Sequence, residues 1–82
     1  MILINLDSLD RVTKLTRTCE KYEIDIDIVY GRYVVNGKSV LGVSSLIGNI
    51  VKIEPSTEDK LLLEYLTRDL KEIGAWVEEK TN

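Results

Sequence analysis

Ile24-Asp25-Ile26-Asp27-Ile28-Val29-Tyr30-Gly31-Arg32-Tyr33-Val34-Val35-Asn36 is the stretch that decides the fold. Ile24, Ile26, Ile28 and Tyr30 alternate with Asp25, Asp27 and Val29, and a period of two sends the two sets to opposite faces of a strand. Aspartate on one face marks a sheet with one side toward water. Gly31-Arg32 is a two-residue Gly-X turn of the kind that suits a type II′ hairpin. Tyr33-Val34-Val35-Asn36 is then the returning strand, antiparallel to the first.

Upstream, Met1-Ile2-Leu3-Ile4-Asn5-Leu6 is a short apolar run that reads as a first strand. Asp7 or Ser8 can cap a helix over residues 9–21. There Leu9, Val12, Leu15, Thr16, Cys19 and Tyr22 recur at three- and four-residue spacing against a charged opposite face. Downstream, Ser39 can cap a short helix through Leu46, weakened by Gly42 and two serines. Ile50-Val51-Lys52-Ile53-Glu54 is a fourth strand, ended by Pro55. Ser56 and Thr57 followed by Glu58 and Asp59 announce a helix over residues 58–73, with Gly74 just past its end. Ala75-Trp76-Val77 is an apolar tail expected to fold back, with Trp76 anchored against the core, and the charged last residues are expected to fray.

The order is β-α-β-β-α-β-α. Such a chain makes an α+β open-faced sandwich, with helices on one face of an antiparallel sheet and the other face largely wet. Leu9, Val12, Leu15, Ile26, Ile28, Leu62, Leu66 and Leu70 are the expected core, and Cys19 is a small core residue. With 82 residues, 44% hydrophobic and 30% charged, the chain fits a single folded domain over residues 1–82.

The net charge is -3, from 14 acids and 11 bases. An evenly mixed, mildly acidic surface argues against nucleic acid and against anionic membranes. One cysteine allows no internal disulfide, and no apolar run reaches membrane-span length, so a cytoplasmic location is expected. There is no histidine, and no Gly-rich phosphate loop. No catalytic residue, cofactor or metal ligand set is expected, and the chain is read as not an enzyme.

The run from Tyr30 to Leu46 resembles the middle of HPr, the histidine-containing phosphocarrier family of the bacterial sugar phosphotransferase system. Lys38-Ser39-Val40-Leu41-Gly42-Val43-Ser44-Ser45-Leu46 carries the resemblance, with a tyrosine-ended strand and Val35-Asn36 before it. Glu20-Lys21-Tyr22 and the alternating aspartates resemble the end of the family's first helix and its second strand. The resemblance runs without a gap over residues 8–46. It implies a four-stranded sheet of order 1-4-2-3.

Against the family's His-Ala-Arg-Pro carrier motif stand Ser8-Leu9-Asp10-Arg11. The phosphate-carrying histidine is replaced by Ser8 and the neutralising arginine by Asp10, while Arg11 sits one place late. Ser8, Asp10 and Arg11 thus form a degenerate carrier site, and Asp7, Ser8 and Asp10 have an ordinary use as a helix cap and dipole partners. Ser39 matches the serine that a dedicated kinase/phosphorylase modifies in Gram-positive members, and it is equally an ordinary cap. The resemblance also implies a docking surface from the start of helix 1 and the short helix: Val12, Thr16, Val40, Leu41, Ser44 and Leu46. Ser44 stands where the family usually has an apolar methionine.

The expected role is a non-carrier regulatory protein that binds partner proteins and can be phosphorylated on Ser39. The partners implied are an HPr kinase/phosphorylase and a transcriptional regulator or phosphotransferase-system enzyme, with the chain a monomer or weak homodimer. The alternative is a binding or structural module of the same fold with no phosphorylation. A small enzyme using Asp7 and Asp10 ranks last.

Overall fold

The computed structural model describes residues 1–79. Eight elements follow in order: β1 (Ile2–Asn5), α1 (Leu9–Glu20), β2 (Ile26–Tyr30), β3 (Tyr33–Asn36), α2 (Val40–Ser44), β4 (Ile50–Pro55), α3 (Lys60–Glu72) and β5 (Trp76–Val77). The decisive hairpin forms as its sequence requires, with Tyr30 opposite Tyr33. Gly31 has φ +57° while among the described residues no other type of residue has a positive φ, which excludes type I′ and fits type II′.

The sheet is antiparallel throughout, in the order β3-β2-β4-β1-β5. The expected order 1-4-2-3 holds for the first four strands. The expectation of four strands is corrected to five, because the tail pairs Val77 with Ile2 and Trp76 with Leu3. The Met1 ammonium donates to the Glu78 carbonyl at 2.7 Å, and the Glu78 N–H donates back to Met1, extending that pairing. The expected fraying of the tail concerns residues 80–82, outside the described residues.

Alternation then sorts the side chains. Ile4, Ile26, Ile28, Val51 and Ile53 face the helices and are buried with Val12, Leu15, Cys19, Val43, Leu66 and Leu70. Complete burial of one such aliphatic side chain contributes roughly 1.5–3 kcal/mol. Leu62 is only half-buried. Leu9 is not in the core at all, being 60% exposed. It is the first residue of α1, and its side chain stays in solvent although its spacing matches the buried stripe.

The caps fix the helix ends. Ser8 accepts from the Arg11 N–H at 3.1 Å to start α1. At α3 the carboxylate of Asp59 accepts from Leu61 and Leu62, at 3.0 and 3.2 Å. Asp59 therefore displaces Ser56 and Thr57 as the cap, and the helix begins two residues later than the sequence suggested. Thr57 instead accepts from the Asp59 N–H. Among the described residues no helix is long and apolar enough to cross a membrane.

Candidate functional site

The start of α1 brings Asp7, Ser8, Asp10 and Arg11 together, with Arg11 and Asp10 each in an ion pair of the same segment. The Ser8 hydroxyl is already engaged as the cap. Asp10 pairs with Lys14 one turn along, at 3.1 Å. Arg11 folds back toward the sheet, 3.8 Å from the Asp7 carboxylate and 3.5 Å from the Asn5 carbonyl to which it donates. Its guanidinium lies over Gly74, where a Cβ would stand 2.6 Å from Nη1. Gly74 is thus both the left-handed end of α3, at φ +107°, and the bare surface on which Arg11 rests. No sequence pattern announces this contact, because the two residues lie far apart along the chain.

The second part of the site is the turn into α2. The side-chain carbonyl of Asn36 accepts from the Lys38 N–H at 2.9 Å and its backbone carbonyl from the Ser39 N–H at 3.0 Å. This double tie presents Ser39 at the helix start, where its hydroxyl accepts from Gly42 at 3.1 Å. A Cβ on Gly42 would lie 3.3 Å from both Ser39 Oγ and Val35 Cβ, so glycine lets α2 sit close against β3. Leu41 is 87% exposed and Val40 46% exposed. Ser44 is half-buried and donates back to the Val40 carbonyl at 2.6 Å.

The other expected docking residues are elsewhere. Val12 and Thr16 are buried and offer no surface to a partner, and Leu46, also buried, shows only an edge to the groove it helps to line. Val12 and Thr16 belong to the stripe of α1 that faces the sheet, and Leu46 turns inward after α2. The exposed apolar groups around the site are instead Leu9, Val40, Leu41 and Ile47. Beside them Tyr30, Tyr33, Ser45, Leu46 and Asn49 line a shallow groove.

Among the described residues two groups titrate abnormally, and both are structural. Burial pushes the Cys19 thiol up to about 11, only partly offset by the Lys38 charge. A thiol so held is a poor nucleophile near neutral pH. Tyr22 is pushed up to about 12, first by desolvation and then by its hydrogen bond to the Asp69 carboxylate. That bond ties the end of α1 to α3. Among the described residues no group of three or more His, Cys, Asp or Glu is placed to hold a metal ion.

Comparison with known proteins places this geometry. No protein-family model matches the sequence, and no curated protein matches it. Solved structures do match. HPr-C-His from Thermoanaerobacter tengcongensis superposes with a TM-score of 0.67 at 22% identity, covering 89% of each chain. Crh of Bacillus subtilis, a catabolite repression protein crystallised as a domain-swapped intertwined dimer, gives 0.60 at 23% identity over 79% of each chain. The phosphocarrier HPr of Bacillus anthracis gives 0.59 at 20% identity, covering 84% of this chain and 94% of its own. The chain has the HPr fold.

Proposed function

We propose that this chain is a divergent member of the HPr family that has lost the carrier role and works as a regulatory, protein-binding module, with Ser39 as its phosphorylation site. The observation that carries the reading is the turn into α2: Ser39 is held at a helix start beside an almost fully exposed Leu41. A solvent-facing leucine next to a presented hydroxyl suits a surface read by partner proteins. The carrier end supports the same view from the other side. With no histidine in the chain and Arg11 bound to Asp7, phosphate transfer from a nitrogen has no bearer. A phosphoserine at Ser8 would be too stable an ester to pass its group on.

Phosphate on Ser39 would add about -1.5 to -2 charges beside the free N–H groups of α2, with Lys38 within one residue to pair with it. The expected consequence is altered docking on Val40 and Leu41 with little change of fold. Leu9, Val40 and Leu41 take over the surface that Val12, Thr16 and Leu46 cannot provide. Partners of the kind proposed are an HPr kinase/phosphorylase and a transcriptional regulator or phosphotransferase-system enzyme. The chain itself is not an enzyme and functions in the cytoplasm, as a monomer or a weak homodimer. Domain swapping of the kind named for Crh is the form such a dimer would take.

The test is incubation with ATP and a Gram-positive HPr kinase, followed by mass spectrometry, with Ser39→Ala as control. Added phosphate on Ser39 supports the regulatory reading. No phosphate under conditions that modify an ordinary HPr leaves the second reading, a plain binding module. The cap bond from Gly42 to Ser39 favours that second reading, since it gives the serine a structural use of its own.

A further inference from the structure

The helix-free face of the sheet is not the polar surface that Asp25 and Asp27 suggest. Strand registers fix which side chains share a line across it. Val34 is opposite Val29, Val29 opposite Lys52, Lys52 opposite Leu3, and Leu3 opposite Trp76. These five form one row across all five strands, on the side away from the core. Val34 is 59% exposed, and Val29, Leu3 and Trp76 are half-buried. Trp76, expected as a core anchor, is therefore an outer-face residue, while its neighbour Ala75 turns inward and is buried. The one cation in the row, Lys52, points its ammonium at Glu54, 2.8 Å away, leaving its aliphatic stem in line with the apolar groups. At about 4.8 Å between strands the row is about 19 Å long.

One flank of this row is acidic. Asp27 faces Glu54 directly across the β2–β4 pair, and Asn36 on its other side brings no positive charge. Asp25 and Glu78 share the outer face by alternation, and both are exposed. Lys52 offsets the Glu54 charge and the Met1 ammonium stands by Glu78, so the flank holds four acids against two cations and stays net negative.

We propose that this face is a second docking surface, and that its occupant is a cationic amphipathic helix of another protein. An apolar stripe would lie along the row from Val34 to Trp76, with lysines or arginines over Asp25, Asp27, Glu54 and Glu78. A row of about 19 Å matches a helix of about 13 residues at 1.5 Å rise. Charge complementarity selects this occupant. Nucleic acid and anionic lipid are repelled by the acids, and a second copy brings the same acids and its own net charge of -3. Among the described residues no element covers the face. It is separate from the Ser39 surface and stands whether or not Ser39 is phosphorylated.

The experiment uses the full chain and two designed 13-residue helical peptides with one leucine stripe, flanked by lysines in one and by glutamates in the other. Trp76 is the only tryptophan, so its emission reports contact directly. The lysine peptide is expected to shift that emission to the blue and to move the amide resonances of Leu3, Val29, Val34 and Lys52. It should bind at least about tenfold tighter than the glutamate peptide at low salt, with the advantage falling as salt rises. The double variant Asp27→Lys/Glu54→Lys should keep its circular dichroism and reverse the preference. The proposal is overturned if neither peptide moves these resonances, if both bind alike, if the shifts fall on the α2 side, or if the double variant keeps the original preference. Sedimentation of the chain alone as a dimer with a shielded Trp76 would overturn it in favour of a second copy.

Discussion

Substituting Gly37 by alanine should destabilise the protein even though no unusual backbone angle protects that glycine. Gly37 follows β3 and leads to Lys38 and Ser39. Its N–H donates to the Ile26 carbonyl at 2.7 Å. A Cβ there would lie 2.8 Å from that same carbonyl oxygen, 3.0 Å from Cys19 Sγ and 3.4 Å from Ile28 Cδ1. The carbonyl belongs to the first residue of β2, which is bonded to its neighbours, so it cannot rotate away as a flexible side chain would. Relief must come from lengthening the Gly37–Ile26 bond or moving the turn outward. Overpacking of this kind costs about 1–3 kcal/mol, and weakening a buried hydrogen bond adds about 0.5–1.5. The stiffer unfolded chain returns about 0.4–1, leaving a net loss of roughly 0.5–4 kcal/mol. For a domain of this size that lowers Tm by about 4–8 °C per kcal/mol. Urea and thermal unfolding followed by circular dichroism measure it. Adding Cys19→Ala tests the origin: it removes the sulfur clash but not the carbonyl clash, so it should rescue only a minor part. A loss under about 0.5 kcal/mol, or full rescue by Cys19→Ala, would refute the reasoning.

Incubation with phosphoenolpyruvate and the first enzyme of the phosphotransferase system should leave no acid-labile phosphate on the chain, and a label of that kind would show that an aspartate or another unforeseen group carries it. Asp59→Ala removes the acceptor of two N–H groups and should cost about 0.5–2 kcal/mol in urea unfolding, more than the same change at Ser56, which caps nothing. The folded state holds the Cys19 and Tyr22 protons more tightly than the unfolded chain does. Their stabilisation is therefore complete below pH 9 and declines as pH rises, from 9.0 to about 11 for Cys19 and from 10.0 to about 12 for Tyr22. Unfolding curves across that range should show the loss, and Tyr22→Phe should flatten its upper part. A native chain whose Cys19 reacts with a disulfide reagent at pH 8 as fast as free cysteine would contradict the burial assigned to it.

Local patterns made the hairpin readable. Strict alternation and one glycine at the turn are enough to set β2 against β3, and the buried stripes of α1 and α3 follow from spacing. What escaped depends on distance or competition. Leu9 obeys the stripe yet is exposed, because periodicity gives an angle around a helix but not how far along it the covering elements reach. Asp59 wins the cap over Ser56 and Thr57 because a carboxylate accepts from two amides at once, a competition that composition alone does not rank. Spacing puts Val12 and Thr16 in the buried stripe while the family resemblance puts them on a docking surface; burial decides for the stripe. Trp76 needed the free edge of β1, which no reading of the tail supplies. The contact of Arg11 with Gly74 ties the start of α1 to the residue just past the end of α3 and leaves no trace in either segment.

The central place of β4 governs how the molecule can assemble. It pairs with β1 through partners 45 to 51 positions apart, and on its other side with β2. Until residues in the fifties are available, β1 has no neighbour and the β2–β3 hairpin stands alone, too small to persist in water. Closing loops of that length precedes the contacts that reward it, so the rate of acquiring structure is set by the arrival of one strand. On a ribosome, most of the chain would leave the exit tunnel before a sheet could form. Once closed, the same strand is flanked on both sides, and its amides should be the last to exchange with deuterium, long after those at the outer edges of β3 and β5.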